Sequence, residues 1–471
     1  MIFNSLEFLL FFPIVSVLYF LLPHKFRWLL LLLASCYFYM AFIPIYILIL
    51  FFTIIVDYYA GILIENAEVK RKKTYLLLSV FVNIGTLMIF KYYNFFIDNI
   101  NESFSLLNSS ISLPVLSLIL PIGLSFHTFQ ALSYTIEVYR GNQKAERHFG
   151  IYALYVMFYP QLVAGPIERP QNILHQFHEK KYFSSEFLIS GLRLMLWGFF
   201  KKVVIADRLS VYVNGVFDNA GEYGSLNLII AAVFFSIEIY CDFSGYSDIA
   251  IGSAKVMGFD LMTNFNRPYF SKNIKEFWSR WHISLSTWFR DYVYIPLGGN
   301  RGSKFKKYRN VFIVFVLSGF WHGANWTFIL WGLIHAILNM LYMAFHKQRT
   351  YSIFRKGLAI ISTFILVTIA WIPFRASTIK DTIYFIKNMF SSNQHYVSVV
   401  TDKSHHEFGA TSFFISLISI ALLFLVENYN NVRLDGFNKH KKLDVAFCTV
   451  FLIMVLVFGV FQKQSFIYFQ F

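Results

Sequence analysis

The sequence predicts an all-α protein that crosses a membrane many times, and three observations carry that reading. Of the 471 residues, 57% are hydrophobic and only 14% charged, against about 25% charged in a soluble domain. The apolar residues come in unbroken runs of about 17–25, the length of a spanning helix, and do not alternate as barrel strands do. The surplus of 41 Lys and Arg over 26 Asp and Glu gathers in short loops between those runs, which is the pattern of cytoplasmic loops. The net charge of +15 therefore reads as topology, and no nucleic-acid partner is expected. The 56 Phe and 29 Tyr suit a surface in contact with membrane lipids and its interfacial belts. Cys36, Cys241 and Cys448 lie far apart in apolar surroundings, so they are expected as free buried thiols, with no metal site.

The stretch MIFNSLEFLLFFPIVSVLYFLLPHKFRW has no basic leader and no small-residue cleavage site, so a first, uncleaved span is expected over 6–22. His24, Lys25 and Arg27 follow it and put the N-terminus outside. Two spans fill 28–64, turning near Ile43-Pro44, and Lys70-Arg71-Lys72-Lys73 marks a cytoplasmic loop. A span over 74–92 leads to NFFIDNINESFSLLNSS, an outside loop by its acidity, and another is expected over 114–138. The apolar segment 149–170 is broken by Pro160, Gly165, Pro166 and Pro170. Such backbone is tolerated at membrane depth only against protein or a watery cavity.

The segment 226–256 carries Glu238, Asp242 and Asp248. Carboxylates there must face a polar interior, and Lys255, Arg267 or Arg280 are the expected partners, in a structural lock. Spans follow over 326–345, 357–374, 411–427 and 444–461, separated by a basic loop, an outside segment 375–410 with the amphipathic IKDTIYFIKNMF, and the cytoplasmic NVRLDGFNKHKKLD. Both termini come out external, with ten or twelve spans plus re-entrant pieces in one integral domain, 1–471, and an external tail, 462–471.

The stretch 275–326 organises the rest. Trp281-His282 and Trp321-His322 bracket a basic loop in KEFWSRWHISLSTWFRDYVYIPLGGNRGSKFKKYRN, VFIVFVLSGF and WHGANW. Drawn as one helix, Phe277, Trp281, Leu285, Trp288 and Tyr292 share a face, with Ser279, His282, Ser286 and Arg290 on a polar stripe beside it. About ten apolar residues precede His322. A charged group at that depth costs about 2.5–3.5 kcal/mol on insertion scales and is functional by default. No GxSxG nucleophile elbow is present, the His178-Glu179 pair is too short for a zinc motif, and His405-His406 reads as loop. A transporter also carries intramembrane acids and broken helices, and a scaffold of a polysaccharide export complex is a further alternative.

The blocks DFSGYSDIAIG (242–252), NFNRPY (264–269), EFWSRWHISLSTWFRDYVYIPLGGNR (276–301) and SGFWHGANWTFILWG (318–332), with YPQLVAGPIERP (159–170), resemble the membrane-bound O-acyltransferase family, in its alginate O-acetyltransferase-like bacterial branch. The resemblance implies a helical bundle around a membrane funnel in the bacterial cytoplasmic membrane. An acyl thioester, acetyl-CoA or a similar donor, enters from the cytoplasm; the acceptor is an extracytoplasmic polysaccharide. No bound cofactor is implied. His322 matches the family's catalytic histidine and His282 the second histidine of its branch. Arg280, Ser286, Arg290, Trp321 and Asn325 are expected to bind the substrates beside them, and Lys304, Lys306, Lys307 and Arg309 could attract a donor's phosphates. Phe466, Tyr468 and Phe471 resemble the FxYxxF acyl-transfer motif of these enzymes' partners, with Tyr468 as an acyl carrier. An SGNH-type acetyltransferase outside the membrane is the implied protein partner.

Overall fold

A computed structural model describes residues 1–163, 165–345, 352–391, 408–429 and 441–461, the side chains of 441–444 excepted. Among them every regular element is a helix. Six helices are long and apolar enough to span a membrane: Pro44–Asn66, Val69–Leu106, Ser225–Val256, Trp326–Phe345, Ile353–Arg375 and Ala410–Asn428. Leu6–Leu21 and Val445–Phe458 are shorter apolar helices. The protein is thus an all-α, multi-pass membrane protein. Several segments counted above toward ten or twelve spans form shorter helices, such as His24–Met40 and Leu124–Arg140, each 17 residues.

The chain divides into two compact units, Met1–Gly191 with Ala250–Met262, and Leu192–Ile249 with Thr263–Phe471. In the first, the expected outside loop after residue 92 is helical. Val69–Leu87 runs through a π-helical turn, Met88–Tyr92, into Tyr93–Leu106. Two asparagines on that helix explain the change. Asn94 Nδ2 donates to Leu116 O (2.8 Å) and its Oδ1 accepts from Leu116 N (2.8 Å). Asn101 pairs with Leu113 in the same two-bond manner, at 3.0 and 2.7 Å. The extended segment before Pro121 so satisfies its backbone on amide side chains. The helix expected from residue 114 begins only at Leu124, after Gly123 in the left-handed region (φ 76°).

The broken segment 149–170 is confirmed, as helices Phe149–Met157 and Tyr159–Leu162. Its loose backbone groups find buried side chains. Tyr159 N donates to Ser35 Oγ (3.0 Å), and Tyr155 O accepts from Gln161 Nε2 (2.8 Å) and Gln130 Nε2 (2.5 Å). This is how non-helical backbone survives inside a membrane protein. Glu168 ends the segment, fully buried, accepting from Met262 N and Asn172 Nδ2 at 2.6 Å each. Asp57 ties three helices together, accepting from Ser79 Oγ (2.6 Å) and Asn83 Nδ2 (2.8 Å), while Ser79 also reaches Thr135 (3.1 Å).

In the second unit the acids of Ser225–Val256 find different partners from those expected. Lys202 Nζ, 1% exposed, bonds Asp242 (2.5 Å) and Asp207 (2.8 Å), and Lys201 pairs with Asp248. Arg280 is taken by Glu276 one turn away (2.7 Å), and Arg267 donates to Glu427 O (3.2 Å). The lysines lie in a π-helical stretch, Phe200–Ala206, which sequence spacing does not announce. Removing one partner from such a buried pair leaves uncompensated charge and costs about 3–5 kcal/mol. Lys202→Met is therefore expected to lower the melting temperature of the detergent-purified protein and its yield in membranes, measured by differential scanning fluorimetry and immunoblot. A melting curve like that of the wild type would remove this lock from the fold.

Candidate active site

The stretch drawn above as one helix is two. Ile274–Arg280 ends at Trp281, and Ile283–Phe289 begins after His282, whose backbone is left-handed (φ 42°, ψ 56°). Few residues other than glycine hold that conformation, and those that do cluster at functional sites. Asn264 holds it. Its carbonyl accepts from Ile283 N (2.8 Å), and its Oδ1 accepts from Ser284 N (3.3 Å) and Ser284 Oγ (2.9 Å). His282 Nδ1 lies 3.1 Å from the same oxygen. An amide oxygen can only accept, so Nδ1 is the protonated nitrogen, which places the lone pair on Nε2. His282 is 1% exposed, between Phe243 (4.5 Å, edge-on) and Phe265. Burial pushes its imidazole down, to about 3, so it is neutral. The expected polar stripe is corrected accordingly: His282 is buried, Arg290 is exposed beside Asp291 (2.8 Å), and Ser286 Oγ donates to Trp281 O (3.2 Å).

His322 is the last residue of Lys304–His322 and is 4% exposed. That helix packs closely on Trp326–Phe345 through glycines. A Cβ on Gly319 would meet Phe328 O at 2.3 Å, and one on Gly332 would meet Phe315 O at 2.3 Å. The short return through Gly323 and Asn325 is fixed by Asn325, whose Oδ1 accepts from Thr327 N (3.0 Å) and whose Nδ2 donates to Ser377 O (3.0 Å). Asn325, expected as a substrate ligand, thus caps a helix and ties down the next loop. Trp321 packs edge-on against His322 at 4.9 Å.

Both histidines belong to one aromatic cluster. His322 meets Trp331 at 5.0 Å and Phe374 at 5.3 Å, Trp331 stacks on Trp371 at 5.7 Å, and Trp371 meets Trp281 at 5.0 Å. Trp281, next in sequence to His282, is 1% exposed. Lys304, Lys306 and Arg309 are exposed and Lys307 half-buried, while Asn310 holds the PLGG turn through Leu297 O and Gly299 O (3.2 Å each). Tyr468, Phe466 and Phe471 lie outside the described residues, as do His405 and His406. Sequence reading reaches Asn264 and Trp331 only as members of the blocks NFNRPY and WTFILWG, and Trp371, in an apolar span with no distinguishing neighbour, not at all. Among the described residues no group of His, Cys, Asp and Glu could hold a metal ion.

An imidazole buried among rings at a helix end can, in its neutral form, take a proton from a hydroxyl and return it. The model of the membrane-bound O-acyltransferase family matches residues 147–377, a range that contains both histidines. The chain is 39% identical to the probable alginate O-acetylase AlgI of Pseudomonas aeruginosa over 83% of this chain and 75% of that protein. It is 36% identical to the peptidoglycan O-acetyltransferase of Helicobacter pylori over 77% of this chain and 73% of that protein. Identity to the teichoic acid D-alanyltransferase of Bacillus subtilis is 32%, over 50% of this chain and 62% of that protein. With its paired Trp-His blocks and these relatives, the chain belongs to the membrane-bound O-acyltransferase family and is an O-acyltransferase.

Proposed function

We propose that this enzyme moves an acetyl group from a cytoplasmic thioester, acetyl-CoA or a similar donor, to hydroxyls of a cell-envelope polysaccharide outside the cytoplasmic membrane. The polymer is an alginate-like exopolysaccharide, peptidoglycan or capsule. The observation that carries the reading is His322, buried among Trp321, Trp331 and Phe374 at the end of an apolar helix. In this reading His322 removes the proton from an attacking hydroxyl. The oxygen bonds to the thioester carbonyl carbon, whose π electrons move onto its oxygen. The carbonyl then re-forms, the C–S bond breaks, and the departing thiolate takes the proton from His322.

Tyr468 is the first attacking hydroxyl in this scheme. Its acetyl ester has a leaving group of pKa about 10, so the oxygen of a second hydroxyl, on the polymer or on an SGNH-type partner outside the membrane, bonds to the ester carbonyl carbon, the bond to the Tyr468 oxygen breaks, and the departing phenolate takes up the proton that the hydroxyl gives. His282, fixed by Asn264, orients the donor. His282→Ala is expected to raise the apparent KM for the donor by about tenfold or more, a loss of about 1.4 kcal/mol of binding. The assay is transfer of radiolabelled acetyl groups from acetyl-CoA into polymer by membranes holding the full chain. An unchanged KM and kcat would reduce His282 to packing. A transporter or scaffold would release no thiol from acetyl-CoA at all, and that result would overturn the whole reading.

A further inference from the structure

His335 is a buried ionisable group to which the scheme above gives no task. It lies on Trp326–Phe345, is 0% exposed, and stands 4.9 Å from Trp331, packed among Phe277, Trp278, Phe315 and Trp371. Its tautomer is fixed. Trp278 Nε1 donates to His335 Nδ1 (3.3 Å), and an indole nitrogen can only donate. His335 Nδ1 must therefore be the acceptor, and the ring proton sits on Nε2. That Nε2–H has no acceptor among the described residues. The same holds for Trp331 Nε1, also 0% exposed, whose ring meets His335 at 4.9 Å and His322 at 5.0 Å.

An unsatisfied buried donor costs about 1–3 kcal/mol, and phenylalanine rings would fill this space without that cost. Trp371 Nε1, in the ring stacked on Trp331, is a third such donor; donors grouped in this way, with the Trp331 ring 5.0 Å from His322 by ring centroid, call for an acceptor that arrives with the reaction. Resting on the reading of His322 as the base, we propose that Trp331 Nε1–H and His335 Nε2–H are hydrogen-bond donors to the thioester carbonyl oxygen as it takes up negative charge. Neither group gains or loses a proton. Each stabilises the oxyanion more than the ground-state carbonyl, which accelerates the step and leaves donor binding nearly unchanged. Trp278 is a positioning residue that holds the Nε2–H tautomer.

The test uses membranes holding the full chain, radiolabelled acetyl-CoA at varied concentration, and kcat normalised to the amount of enzyme. Trp331→Phe deletes the N–H and keeps an apolar ring, and is expected to lower kcat by about 10²–10³-fold with little change in donor KM. His335→Leu is expected to lose kcat likewise, and His335→Gln, whose amide can still donate, to recover at least about tenfold of it. Melting curves of the purified variants separate this from unfolding, and a purely packing role predicts no advantage of Gln over Leu. Wild-type kcat in Trp331→Phe or in His335→Leu overturns the assignment of that residue. If His322→Ala alone is inactive while both of these are fully active, the proposal fails and the base reading stands; turnover by His322→Ala removes the base reading itself.

Discussion

His322→Ala is expected to cut polymer acetylation by about 10²–10⁴-fold, the usual contribution of a general base, with protein abundance in the membrane unchanged. The direction follows from where the side chain sits. His322 ends its helix, 4% exposed, with rings at 4.9–5.3 Å on three sides, so bulk water has little access to replace it as proton acceptor. The fold around it rests on the glycine contacts of the two helices, Gly319 and Gly332, which the substitution leaves in place. Acetate released from the polymer by mild base and quantified per cell, with an immunoblot of the membrane fraction, reads both quantities. Near-normal acetylation in that variant would sink the assignment.

Tyr468→Phe carries the second large effect. The substitution keeps the ring and deletes only the hydroxyl, so an interfacial aromatic anchor would tolerate it and an acyl carrier would not. Polymer acetylation is expected to fall to the background of a strain lacking the gene, while insertion stays normal. In the unmodified protein, mass spectrometry of the C-terminal peptide containing Phe466-Ile467-Tyr468-Phe469-Gln470-Phe471 is expected to find an added acetyl group on Tyr468. The adduct should disappear in the His322→Ala background, since no base would then activate the phenol. Full polymer acetylation by Tyr468→Phe would rule the carrier out.

What the residues spelled out locally, the sequence determined by itself. Hydropathy runs placed the start of the helix Trp326–Phe345 to the residue, and the starts of Ile353–Arg375 and Ala410–Tyr429 within a few, because a helix in lipid satisfies its own backbone and needs no distant partner to be written into it. Prolines and glycines marked the break at 149–170 for the same reason. The two Trp-His blocks, within long stretches that resemble one family, point to acyl transfer from sequence alone. Tertiary structure decided whatever depends on a partner remote in sequence. The break at Trp281-His282 exists because Asn264 holds it from 18 residues away, while local periodicity favoured one continuous helix. Asn94 and Asn101 turned a presumed loop into a helix with an extended strip laid on it. Asp242 and Asp248 paired with Lys202 and Lys201, since a buried carboxylate takes the cation that packing brings to it. His335 owes its tautomer to Trp278, 57 residues away, because only a folded chain can set an indole N–H against an imidazole nitrogen and so decide which side of the ring keeps its proton.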